Sequence, residues 1–194
     1  LGLGTVQFGM SYGISNQRGQ TSRDEVAAIL ELAAASGILV LDTATLYGDS
    51  ESALGAALAA THPFRIVTKP PDFGAGVDPA QCAIKLEQAF AQSLASLRQQ
   101  RIYGLLVHNA DDLFGPRGDA IWKSMQELRE RDLVEKIGVS VYTAEQIDRV
   151  LAHFDPALIQ APVNIVDQRL LQSGHLARLK SRNIEVHARS VFLQ

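Results

Sequence analysis

Short apolar runs alternate with longer amphipathic stretches along the whole chain. Ile38-Leu39-Val40-Leu41 stops at Asp42, Phe64-Arg65-Ile66-Val67-Thr68-Lys69 stops at Pro70-Pro71, and Ile102 to Val107 stops at His108-Asn109. Glu135 to Val141, Ala157 to Gln160 and Ile184 to Arg189 repeat the pattern, and an opening run from Leu1 to Phe8 precedes them all. Runs of this length bounded by turn residues predict buried strands.

Helical spacing fills the intervals. Ser22-Arg23-Asp24-Glu25 reads as a capping box ahead of Val26, Ile29, Leu30 and Ala33, and Gly37 ends that helix. Asp49 or Ser50 is placed to cap a second helix carrying Leu54 and Leu58. A long helix over 79–98 carries Cys82, Leu86, Phe90, Leu94 and Leu97 on one stripe, and another over 117–131 turns Ile121, Met125 and Leu128 inward. Thr143-Ala144-Glu145-Gln146 repeats the capping box before Ile147, Val150 and Leu151, and a last helix is expected over 168–182. Strand and helix alternate without a hairpin signal, which predicts a parallel α/β sheet with helical crossovers. About seven β/α units with uniform composition point to one domain over 1–194, a (β/α) barrel of the TIM type. An open doubly wound sheet is the alternative, but no G-x-G-x-x-G turn follows the first strand.

Composition narrows the partners. The chain has 194 residues, 46% of them hydrophobic and 20% charged, with a net charge of −3. This gives no electrostatic case for nucleic acid or an anionic membrane. No apolar run approaches the ~20 residues of a membrane span. The single cysteine, Cys82, has no internal disulfide partner and reads as a packed thiol in a reducing, cytoplasmic setting. No metal is called for, and the oligomeric state is left open.

The strand C-termini carry the candidate chemistry. They present in turn Asp42, Lys69, His108 with Asn109, Ser140, and Gln160 with Asn164. Singly, each has an ordinary reading: a turn carboxylate, a solvated lysine, a satisfied histidine. In a closed barrel these ends converge on the face where active sites of that fold lie. Tyr47, just beyond Asp42, is the natural acid for an oxygen that becomes an alkoxide. A phenol titrates near ~10. A lysine cation at about 4 Å contributes roughly 4 kcal/mol at an effective dielectric of ~20, which is up to about three pKa units before desolvation opposes it. Asp42 would keep Lys69 charged and oriented, and His108 would bind the same substrate oxygen or relay its proton. These motifs hold no Ser or Cys nucleophile beside a base, and hydride from a nicotinamide fits the remaining requirement.

In these residues the chain resembles the aldo-keto reductases. Gly4-Thr5 with Phe8-Gly9, Asp42-Thr43-Ala44 with Tyr47-Gly48 and Ser50-Glu51, Lys69 after Val67-Thr68, and His108 after Leu106-Val107 carry the resemblance. Gly138-Val139-Ser140 and Gln160-Ala161-Pro162-Val163-Asn164 extend it. The resemblance implies a (β/α)8 barrel and reduction of a small aldehyde or ketone by NADPH, with NADH the other donor left open. It implies Asp42, Tyr47, Lys69 and His108 as the catalytic tetrad, and Ser140 and Gln160 as ligands of the nicotinamide carboxamide. Arg189 falls where many members stack an aromatic ring on the nicotinamide, and a guanidinium can stack similarly. Val141 stands where many members have Asn, so one carboxamide contact is expected to be lost or supplied elsewhere.

Family members continue past the seventh strand through a phosphate-binding loop and an eighth strand, whereas this chain begins at Leu1 and ends at Gln194. The expectation is a C-terminally incomplete barrel of a longer protein. Two other functions stay open: a nicotinamide-binding regulatory or scaffold subunit with little turnover, and a barrel lyase or aldolase using Lys69 as a Schiff base. Phe73 and Phe114 are expected either as pocket walls or as surface turns.

Overall fold

The computed structural model describes residues 1–74 and 76–192. Seven parallel strands lie in the order of the sequence: β1 (Gly2–Gly4), β2 (Val40–Asp42), β3 (Arg65–Thr68), β4 (Ile102–Val107), β5 (Val134–Ser140), β6 (Leu158–Pro162) and β7 (Glu185–Arg189). The sheet is curled rather than flat. Strands lie about 4.8 Å apart, so four spacings would separate β2 from β6 by roughly 19 Å in a plane. Instead Gln160 on β6 donates a hydrogen bond of 2.7 Å to Asp42 on β2. The seven β/α units thus form most of a barrel wall, with β1 and β7 as its edges among the described residues.

The helices cover the outer face and hold most of the core. α2 (Arg23–Ala35) starts at Ser22, whose hydroxyl accepts from the Glu25 amide, and buries Val26, Leu30 and Ala33. α4 (Pro79–Leu97), α5 (Pro116–Glu130) and α6 (Ala144–His153) bury the expected stripes, Cys82 included, except that Leu94 of α4 is only half-buried. Inside the curl a smaller apolar layer of Val67, Leu106 and Leu158 packs with Tyr103.

Three local expectations fail. The opening run is a strand only over β1, and Val6–Gly9 turns into a short helix α1. Asp49 sits at the N-cap of α3 (Ser50–Ala57) without a side-chain capping bond, and Ser50 is the first helical residue. The last helix is broken into α7 (Arg169–Gln172) and α8 (His175–Ser181), with Gly174 left-handed between them at φ +77°. A side chain with a Cβ adopts that conformation only at a cost, so the glycine marks the break.

Candidate active site

The C-terminal ends of β2, β3 and β6 meet around one carboxylate. Lys69 Nζ lies 2.8 Å from Asp42 Oδ1 and also donates to the Thr43 carbonyl at 2.9 Å. Two of the three ammonium protons are therefore committed to β2 and its exit turn. Gln160 Nε2 donates to the same Oδ1. Lys69 is 1% exposed, which a charged side chain tolerates only with such partners. Burial lowers its pKa, while the Asp42 charge and hydrogen bond pull it back up.

Tyr47 and His108 close over this pair. The Tyr47 ring centre is 5.3 Å from Lys69 Nζ, and the His108 ring meets it edge-on at 6.0 Å and 81°. Desolvation, followed by the Asp42 carboxylate, pushes the Tyr47 phenol well above its ordinary value, with Arg189 opposing. Burial thus outweighs the lowering expected from Lys69, and the phenol keeps its proton at neutral pH. Burial and the Lys69 charge lower the His108 pKa, so the imidazole is neutral at pH 7. Its buried Nδ1 has no hydrogen-bond partner among the described residues.

A hydroxyl network holds the turn that carries Tyr47. Thr43 Oγ1 donates to Ser50 Oγ (3.0 Å), and Ser50 Oγ donates to the Thr5 carbonyl (2.8 Å). Thr5 Oγ1 lies 2.8 Å from Ser50 Oγ and donates to the Asp42 carbonyl at 2.9 Å. All three side chains are fully buried. One residue further along α3, Glu51 accepts from Thr68 Oγ1 at 2.6 Å, beside Lys69. The backbone of α1 presses on the same turn: a Cβ on Gly9 would stand 1.8 Å from the Tyr47 carbonyl oxygen. No side chain fits there, which explains a glycine at position 9.

Ser140, at the end of β5, and Gln160, in the middle of β6, are register partners and both are buried; β6 runs on to Pro162, beyond the end at Gln160 expected from the sequence. Arg189 ends β7; its guanidinium lies on the Tyr142 ring at 3.9 Å and donates to the Val141 carbonyl at 3.2 Å. One of its two faces is therefore taken by Tyr142. The aromatic partner is not evident from the sequence, although Tyr142 lies only two residues past the end of β5. Thr5 and Glu51 stand in the motifs that carry the resemblance, but their pairing with Ser50 and Thr68, on other elements, is not evident from the sequence. Phe73 is core, and its amide donates to Asp112 (3.1 Å). Phe114 carries the Arg149 guanidinium on its ring at 3.6 Å. Among the described residues no helix is long and apolar enough to cross a membrane.

A family model described as "Aldo/keto reductase family" matches residues 1–194. A Pseudomonas aeruginosa protein assigned to the aldo-keto reductases shares 27% identity at a TM-score of 0.76, over 95% of this chain and 70% of its own. An aldo-keto reductase of Bacillus halodurans in its holo form matches 98% of this chain and 61% of its own, at 23% identity and TM-score 0.77. A Bombyx mori aldo-keto reductase crystallised with NADP matches 98% of this chain and 62% of its own, at 24% identity and TM-score 0.69. No curated protein matches the sequence significantly.

Proposed function

The chain belongs to the aldo/keto reductase family of NAD(P)H-dependent oxidoreductases, and from that premise we propose that it reduces the carbonyl of a small aldehyde or ketone, with Tyr47 as general acid. The observation that carries this reading is the buried Lys69–Asp42 pair beneath a phenol that retains its proton. NADPH is the proposed donor, after the Bombyx mori neighbour crystallised with NADP; NADH is the other. The residues present suit a nicotinamide: Gln160 and Ser140 offer polar groups at paired positions of adjacent strands, and Arg189 has a face not covered by Tyr142.

When bound, the nicotinamide supplies hydride to the carbonyl carbon. The proton goes from Tyr47 Oη to the carbonyl oxygen, giving an alcohol. A buried phenol is a poor acid, so the neighbouring ammonium of Lys69 matters most as negative charge develops on the phenolate side of that transfer. Asp42 and the Thr43 carbonyl fix the ammonium and keep it protonated. Neutral His108 donates from one ring nitrogen to the carbonyl oxygen, which orients it without adding a second cation.

Tyr47→Phe tests the assignment. Turnover of 4-nitrobenzaldehyde should fall by at least about a thousandfold, the scale of a lost general acid, while NADPH still binds by fluorescence titration. Near-normal turnover would remove Tyr47 from the role. A wild-type chain that oxidises its bound cofactor once and then stops would favour the scaffold reading.

A further inference from the structure

Asp42 Oδ1 serves two donors at nearly equal distance, Lys69 Nζ at 2.8 Å and Gln160 Nε2 at 2.7 Å. The Gln160 side chain reaches it from the opposite wall of the curl, from a position only 3% exposed. A carboxylate accepts and cannot donate, so the amide must offer its nitrogen and turn Oε1 away. Gln160 can then receive a donor at Oε1 without releasing Asp42.

Two donors on one oxygen compete for its charge. With Gln160 in place, the carboxylate is shared between β3 and β6, and less of its field falls on the ammonium. Asp42, Tyr47, His108 and Arg189 are the titratable or charged groups that surround Lys69. Of these only Asp42 is tied to it by a hydrogen bond, so a change in how Asp42 is shared is felt first by Lys69.

Resting on the carbonyl-reductase reading, we propose that Gln160 is a positioning residue: it holds Asp42 from β6 and divides its charge, so that the Lys69 cation stays available to the Tyr47 phenol. This duty is separate from any contact of Gln160 with cofactor.

The test uses Gln160→Met, close in shape but unable to donate. In cofactor-free chain labelled with 13C at lysine Cε, the Lys69 signal should titrate about half a pH unit or more higher than in wild type, because one competitor for Asp42 is gone. With NADPH saturating, kcat should fall about tenfold, the worth of one charge-assisted hydrogen bond. Gln160→Glu should recover part of that loss as pH falls, since its protonated carboxyl can donate to Asp42. A Lys69 titration that does not move upward would overturn the proposal, and so would a Gln160→Met effect confined to the KM for NADPH. If wild-type chain reduces no carbonyl, the reductase reading fails, while the Lys69 titration still decides whether Gln160 governs the pair.

Discussion

The Asp42 carboxylate and the Lys69 ammonium meet at 2.8 Å, one 22% exposed at the mouth of the curl and the other 1% exposed beneath it. The two are unequal partners. Asp42 retains some contact with water, whereas Lys69 depends on Asp42 and the Thr43 carbonyl for nearly all its solvation. Removing the carboxylate charge leaves a buried cation with only neutral oxygens to balance it. Asp42→Asn should therefore destabilise the chain by about 3 kcal/mol, the scale of a broken buried pair, and reduce kcat strongly. Lys69→Met should be milder in stability, since it removes the buried charge and leaves Asp42, the more exposed member, with water and the Gln160 amide as partners. Denaturant unfolding of the two variants side by side checks the order; equal losses would show that the pair is not buried asymmetrically.

Ser50 ties the exits of β1 and β2 to α3 through one hydroxyl. Ser50→Ala strands Thr43 Oγ1 without its acceptor and cuts the link from α3 to the Thr5 carbonyl. An unsatisfied buried hydroxyl costs about 1–3 kcal/mol, and a comparable loss of stability is expected. The more specific consequence concerns Tyr47, which sits in the turn that this network anchors. kcat should fall while the Kd for NADPH stays close to wild type, and Ser50→Thr should rescue only if its extra methyl finds space. A loss in cofactor affinity equal to that in kcat would show general loosening rather than misplacement of the phenol.

Much of this could be read in the chain because buried strands and amphipathic helices leave periodic marks. Ile102–Val107 is a strand at the bounds its apolar run suggests, and Thr143 caps α6 by accepting from Gln146 N as its capping box requires. The strand-end residues Asp42, Lys69 and Gln160 converge because parallel strands deliver their C-termini to one side. What stayed hidden depends on curvature and on contacts distant in sequence. The Gln160–Asp42 bond spans 118 positions, and no local pattern encodes it. Val6 to Phe8 continued an apolar run, yet it coils because Gly9 must pack against the Tyr47 turn. The stacking of Arg189 on Tyr142 likewise follows from where β7 ends relative to β5. The weight of burial on Tyr47 is hidden too, because sequence shows which charges can approach a phenol but not how little water reaches it.

Glu51 offers a pH test. Burial raises its pKa above the ordinary 4.5, with the Thr68 hydrogen bond working against the rise. Its raised folded-state pKa means the native state holds a proton more tightly than the unfolded one. The resulting stability is fully present below pH 4.5 and is lost as pH rises through the higher folded value. Glu51→Gln keeps an acceptor for Thr68 and removes the charge. Its stability should exceed that of wild type near pH 8, and the gap should narrow toward pH 4.5. A gap that is constant across that range would mean Glu51 does not titrate with folding.

Glu185 carries the opposite sign. It lies at the start of β7, inside the curl, and binds Lys136, the Tyr103 hydroxyl at 2.5 Å and His187 Nε2 at 2.7 Å. Burial alone would raise its pKa, but hydrogen bonds from Lys136, Tyr103 and His187 outweigh it and bring the carboxyl down to about 2. These contacts tie β4, β5 and β7 together near the strand ends away from the active site, so they act on the frame rather than on the chemistry. The depressed folded pKa gives stability that is present above pH 4.5 and lost as pH falls from there toward about 2. Glu185→Gln should lower the denaturant midpoint at pH 7, and its acid unfolding below pH 4.5 should be less steep than that of wild type. Turnover per folded molecule at pH 7 should stay close to wild type. Parallel acid-unfolding curves for the two proteins would place the acid-sensitive carboxylate elsewhere.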